Sequence, residues 1–420
     1  MQPLTVTFHL ADSIAKGLTD GTLERVGGVI RHVSTKQIVT WLREIPSHSV
    51  PLGDPVTGSL NLLVSGIKTF ATIEGFADVK EQISGVSQQI MAVQQGLQQT
   101  QNILQITSAA SIMNLGISGM SFAVITHRLN EMEKRLKKAE ALLNKINRKI
   151  DLGFYANFHA AVKLAINAFR MGKAENRMNS AHQAINRFLE AEKVYQDLTE
   201  KELDLQSQIA DEYLLTLALA YLAEVRCHLE LEEYPTALQR FEEGSQVLKE
   251  LIQRYVDLLL TSNPAIYLSP QFKGQIDLQR LTRIYQWINP TLDENAVFEM
   301  QRDNFSEVIK DPDKWVKSLP EAIVSREEVQ GWMLVGPSND DIKKEAYKRL
   351  PQVLEVVESM IETDRRFESY QAEVQAIQNL GVSFHDWMQL QPTDPQPEKA
   401  TLMYITPFEP LTLELTEVSS

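Results

Sequence analysis

Between Gln82 and His127 the chain carries no Asp, Glu, Lys or Arg, although 23% of its residues are charged overall. A gap of that length leaves three resting places: the interior of a fold, a partner's groove, or lipid. Its central part, Ile103–Ile125, would reach about 35 Å as a straight helix at ~1.5 Å per residue, close to a bilayer's hydrocarbon thickness. Gln105, Thr107, Ser108, Ser111, Asn114, Ser118 and Ser121 make it too polar for a constitutive transmembrane helix. Gly116 and Gly119 divide it into a helical hairpin, with Ile103–Leu115 as one arm and the chain from Met120 onward as the other. Gly119 and Ala123 give the small-x3-small spacing that lets helices approach closely. The membrane-insertion candidates are Ile103, Leu104, Ile106, Ile112, Met113, Leu115, Gly116, Ile117, Gly119, Met120, Phe122, Val124 and Ile125. The same composition also suits a central bundle helix buried on all sides.

The flanks are helical and periodic. Ile83, Val86, Ile90, Val93 and Leu97 alternate in three- and four-residue steps, as do Leu129, Met132, Leu136, Ala139, Leu143, Ile146 and Ile150. From Arg128 to Lys149 eight bases face three acids, +5 locally in a chain of net charge −14. Arg128, Lys134, Arg135, Lys137 and Lys138 are the lipid-headgroup candidates, each contributing about 1 kcal/mol near an anionic surface. A basic helix face also pairs readily with acids elsewhere in its own chain. His127, at the border of the two segments, is a candidate protonation trigger or a solvated surface histidine.

Stripe, charge-free hairpin and second stripe, over residues 80–150 with 341–380 as a further bundle helix, resemble the architecture of α-helical pore-forming toxins. The resemblance implies a hairpin stored against a helical bundle, released on activation and assembled with other copies into a pore. Two regions depart from that plan and look more like interaction or regulatory modules. A membrane-disrupting effector held inactive in a bacterial cell, in toxin or antiphage defence, accommodates them.

One departure is 154–261, a helical-hairpin module. Ala184-x3-Phe188-x2-Ala191 and Ala237-x3-Phe241-x2-Gly244 share the small–aromatic–small spacing of a tetratricopeptide (TPR) second helix, with Tyr221 near the first-helix anchor position. The copies lie 53 residues apart, which does not fit that repeat's period, so they indicate local hairpin packing. The other is a small α+β cap over 1–78, with a strand at Leu4–Leu10, a helix at Asp12–Leu18 and a strand at Val29–Val33. Residues Gln37–Glu44 fit strand or helix equally. The strand-like tail, Leu402–Ile405 and Leu411–Leu415 after a Pro-rich linker, is placed to pair with it.

Between them, 79–153 holds the long helices around the charge-free segment. Residues 262–340, punctuated by proline, predict short helices and turns. Ser338–Asp341 caps a helix that meets Pro351. Beyond that proline, Val353, Val357, Met360, Phe367, Tyr370, Val374 and Ile377 give another stripe, ended by Gly381, so that 341–390 returns to the bundle and 391–420 is linker and tail. The fold class is mainly α: a long coiled-coil-like bundle, a TPR-like hairpin module and a strand-bearing cap from both termini.

Catalytic patterns are absent from the sequence: no phosphate loop, dinucleotide fingerprint, His-Glu-x2-His or Gly-x-Ser-x-Gly occurs. The single cysteine, Cys227, sits in a helical run and reads as a packed side chain. No enzyme activity, cofactor or metal is expected, and the negative net charge opposes nucleic-acid binding. Arg25, Arg31 and Arg43 in the cap are candidates for an anionic signal or plain surface charge. Trp287, Trp315, Trp332 and Trp387 with Tyr285 read as core anchors or an interface patch. The start lacks a secretory signal, so cytoplasmic residence with membrane association on activation is expected. The expected partners are other copies of the chain, an anionic membrane, and a protein bound through 154–261. The other functional class is a non-enzymatic scaffold or adaptor.

Overall fold

The computed structural model describes residues 4–9, 12–44, 103–108, 117–143, 152–207, 209–261, 263–311, 313–324, 326, 329, 336–389 and 402–405. The fold is mainly helical, with small antiparallel sheets built from both ends of the chain. β1 (Leu4–His9) pairs with β5 (Ile103–Ser108), from Leu4 opposite Ser108 to His9 opposite Ile103. After α1 (Asp12–Asp20) come β2 (Leu23–Val26), β3 (Val29–His32) and β4 (Ile38–Glu44). β6 (Leu402–Ile405) joins the far side of β4, giving the order β2–β3–β4–β6. The tail strand thus closes the cap as its composition predicts, and of Gln37–Glu44 the residues Ile38–Glu44 form a strand. β2 and β3 are joined through Gly27 and Gly28, and Gly27 takes φ +54°, open to glycine at little cost.

The strand at Ile103–Ser108 corrects the helical-hairpin expectation for the first arm. Ile103, Ile106 and Thr107 are β-branched, Leu104–Thr107 alternates, and a partner strand at the chain's start satisfies the backbone. The stripe Ile83–Leu97, the linker 391–398 and Leu411–Leu415 lie outside the described residues.

Long helices carry the rest. In α2 (Phe122–Leu143) the stripe positions Leu129, Met132 and Leu136 are buried; the stripe's later side chains lie outside the described ones. α3 (Gly153–Phe169) and α4 (Ala174–Asp204) form one hairpin, α5 (Ala210–Glu230) and α6 (Tyr234–Leu260) another. The second turns at Glu232, a non-glycine residue at φ +60°. In both hairpins the small–aromatic–small positions do what their spacing predicts. Ala184, Phe188, Ala237 and Phe241 are fully buried. A Cβ on Gly244 would lie 2.8 Å from the Tyr221 ring, so this glycine lets α6 close onto α5.

α10 (Asn339–Leu380) begins in a reciprocal cap: Asp341 N–H donates to Ser338 Oγ, and Ser338 N–H and Oγ donate to the Asp341 carboxylate. It ends at Gly381, φ +62°. All seven predicted stripe positions from Val353 to Ile377 are buried. Pro351 lies inside the helix, which runs through it without a break. An internal proline costs ~3 kcal/mol. Leu350, Val353, Leu354 and Val357 are buried beside it, at ~1.5–3 kcal/mol each, and offset that cost. A short α11 (Phe384–Gln389) follows.

The described chain divides into two compact units: Met1–Tyr195, Leu215–Leu248 and Glu362–Ser420 in one, Gln196–Leu214 and Lys249–Ile361 in the other. The second contains α7 (Leu278–Ile288), α8 (Glu294–Lys310) and α9 (Lys314–Lys317), short helices as the prolines predict. Asp277 and Asp293 cap α7 and α8 by accepting from Arg280 and Ala296 N–H. Its core includes Trp315 and Phe272, both packed on Tyr347, and Arg280 clamps Glu358 with Nε and Nη2, at 2.6 and 2.7 Å.

Candidate functional site

The end of the charge-free stretch is described from Ile117 onward, and it is buried in the first unit. A single 3-10 turn, Ile117–Met120, leads into α2. Ile117, Met120, Val124 and Ile125 are at most 3% exposed, and Phe122 is half-buried, stacked on Phe169 of α3. Of the other insertion candidates, Ile103, Leu104 and Ile106 belong to β5 and Gly119 to the 3-10 turn. Ile112, Met113, Leu115 and Gly116 lie outside the described residues. Among the described residues no helix is long and apolar enough to cross a membrane.

One carboxylate holds the start of this segment. Glu373 lies on the stripe-bearing half of α10 and is almost fully buried. Its Oε2 accepts the Ile117 backbone N–H at 2.9 Å. Its Oε1 accepts from Arg43 Nη2 of β4 at 3.0 Å and from Trp387 Nε1 of α11 at 2.7 Å. Arg43 Nη1 donates to the Trp387 carbonyl at 2.7 Å, its guanidinium lies 5.2 Å from the indole centroid, and Trp41 meets the same indole edge-on at 5.2 Å. A buried carboxylate needs such a set of donors: left unpaired it would cost several kcal/mol. Cap, helix α10, helix α11 and the charge-free segment therefore share one polar node.

The cap's other two arginines are consumed in the same way. Arg25 binds Glu362 with two nitrogens, each at 2.9 Å, and Arg31 reaches Glu24 at 2.8 Å and Glu368 at 2.7 Å. Burial alone would push the Glu362 carboxyl up, but the charges of Arg25 and Arg366 hold it down at about 2. A Cβ on Gly27 would fall 2.5 Å from the Arg365 carbonyl oxygen, so the β2–β3 turn rests directly on α10. None of the three arginines is left over for an anionic signal. The crevice beside this clasp, lined by Val26, Arg31, Lys36 and Glu368 among others, encloses about 10 Å³, room for one water.

The basic flank divides. Lys134 and Lys137 are exposed, Lys137 bonding Glu133 at 2.6 Å, and Arg135 is half-buried. Arg128 is buried and paired with Glu131 at 2.9 Å; burial pulls its pKa down despite that partner. In this fold Arg128 is turned inward and not presented at the surface. The Lys138 side chain lies outside the described ones. His127 faces Glu131 at 3.5 Å within α2. His159 of α3 lies 3.4 Å from Glu133, and burial lowers its pKa more than that carboxylate raises it.

A second polar cluster, which the sequence reading passed over, lies in the hairpin module. Arg240 Nε donates to both Glu224 oxygens at 2.8 Å and also binds Glu192 and Glu243. Burial, reinforced by the charge of Glu224, pushes the Glu192 carboxyl up to about 10. Cys227 is buried, and burial drives its thiol pKa well up, consistent with a packing role. Trp387 and Trp315 anchor separate cores, Trp287 is half-buried, and Trp332 lies outside the described residues. Among the described residues no three His, Cys, Asp or Glu side chains converge as metal ligands.

No protein-family model, curated protein or solved structure matches the chain.

Proposed function

We propose that this chain is a non-enzymatic helical effector that stores a charge-free segment in its fold and, on activation, oligomerises and commits that segment to an anionic membrane. The observation that carries this reading is the burial of Ile117, Met120, Val124 and Ile125 behind a polar tie at the segment's first residue. Four apolar side chains at ~1.5–3 kcal/mol each make exposure to water cost about 6–12 kcal/mol. The segment therefore stays stored until a bilayer or another apolar surface replaces the contacts it leaves. Lys134 and Lys137, exposed on the helix that continues from it, suit an anionic headgroup layer. Toxin or antiphage defence in a bacterial cell is the setting that the toxin-like order of segments favours.

Adaptor function is the second reading, and the α5–α6 hairpin favours it: Gly244 against Tyr221 reproduces the close packing used by helical-hairpin interaction modules.

Leakage from dye-loaded vesicles containing anionic lipid separates the two. The protein, intact, mildly acidified or proteolytically nicked, is compared with Gly119→Leu and Ile112→Asp, with melting curves for each. A charge at mid-bilayer costs about 2.5–3.5 kcal/mol, so folded Ile112→Asp should lose leakage. Absence of leakage by the parent protein in every condition refutes membrane insertion and leaves the adaptor.

A further inference from the structure

We propose that Glu373 is a latch: one carboxylate through which the cap and α11 together control release of Ile117–Ile125. The proposal rests on the storage reading above but is tested apart from it. Three donors from three separate elements converge on this side chain: Arg43 from β4, Trp387 from α11 and the Ile117 backbone N–H. Trp387 is held in turn by Arg43, through its carbonyl and its ring face. Displacing α11 therefore removes one donor from Glu373 and uncovers the arginine that orients it. The hold on Ile117 weakens without any direct contact between whatever displaces α11 and the segment.

α11 is placed to receive such a signal. It is only six residues long, and three side-chain contacts seat it beside the α5–α6 hairpin: Phe384 N–H to Tyr234 Oη at 2.9 Å, the Arg226 guanidinium 4.4 Å from the Phe384 ring centroid, and His385 near Glu230 at 3.2 Å. A protein engaging the α5–α6 turn would compete for this seat. The hairpin module is thereby joined to the stored segment through two side chains, Trp387 and Glu373.

Amide exchange on the full chain tests this. Glu373→Gln removes the charge and one acceptor; Trp387→Phe keeps a six-membered aromatic ring beside Arg43 and removes the indole donor together with the smaller ring that carries it. Exchange of the Ile117–Ile125 amides should rise about tenfold in Glu373→Gln and by a smaller factor in Trp387→Phe, with α4 and α6 amides unchanged. Unchanged exchange at Ile117–Ile125 in both variants overturns the latch. So does a uniform rise across the first unit, which would make Glu373 a general staple of the fold. Should Glu373→Gln fail to fold, Trp387→Phe decides alone. Local release without vesicle leakage supports the latch and refutes the membrane reading; leakage without local release does the reverse.

Discussion

Replacing Glu362 by Gln tests how firmly the cap is clasped to α10. The carboxylate is 6% exposed and accepts two bonds from Arg25 and one from Arg366 at 3.0 Å. Its pKa lies at about 2 against an ordinary value of 4.5. At about 1.4 kcal/mol per pH unit, that difference contributes about 3 kcal/mol to the folded state. Because the folded pKa is depressed, the contribution is complete above 4.5 and is lost as pH falls toward 2. Urea titrations of the parent and Glu362→Gln should differ by about 3 kcal/mol at pH 7 and by about half that at pH 3. A gap that does not narrow with acid, or one below about 1 kcal/mol at pH 7, would show that the pair is solvent-screened and that the clasp does not hold the cap.

Gly27→Ala should lift the β2–β3 turn off α10, since the new methyl meets a backbone oxygen at a φ that alanine avoids. A loss of about 2 kcal/mol or more in cap stability, read by amide exchange in β2 and β3, is expected. Gly244→Ala forces the Tyr221 ring aside and should lower the melting temperature, with a cost of about 1–3 kcal/mol. For Glu192 the sign is opposite to that of Glu362. A pKa raised to about 10 means its favourable state is complete below 4.5 and is lost as pH rises. Glu192→Gln, a mimic of the protonated acid, should be at least as stable as the parent at pH 7 and increasingly more stable toward pH 9. Glu224→Gln, which removes the charge that Arg240 binds, should be less stable at both values, and equal behaviour of the two variants would contradict the placement of the proton.

The sequence made the helical stripes readable because burial repeats at short, regular spacing. Leu129, Met132 and Leu136, and the seven positions from Val353 to Ile377, are buried where the period places them. Cys227, the Ser338 cap, the small–aromatic–small pairs and the pairing of Leu402–Ile405 were legible for similar reasons: each is a local pattern with one physical use. The first arm of the expected hairpin was misread because the length of the charge-free run outweighed the alternation of Leu104–Thr107, whose partner strand lies at the chain's start. The cap arginines were invisible as a clasp, since Arg25 meets Glu362 and Arg31 meets Glu368 across 337 residues. Glu373 gave no local sign at all: an acid within an apolar stripe becomes a node only when an arginine, an indole and a free backbone N–H are folded onto it.

The most direct test of storage and commitment is the depth of the segment in a bilayer. Ser121→Cys, at a half-buried position, carries an environment-sensitive fluorophore while Cys227 stays buried and unlabelled. Anionic vesicles with lipids brominated along the acyl chain are added under the condition of greatest leakage. A blue-shifted probe quenched by those lipids is predicted, with both changes lost in Ile112→Asp. A probe that keeps its emission and escapes quenching while the protein is active would contradict the account.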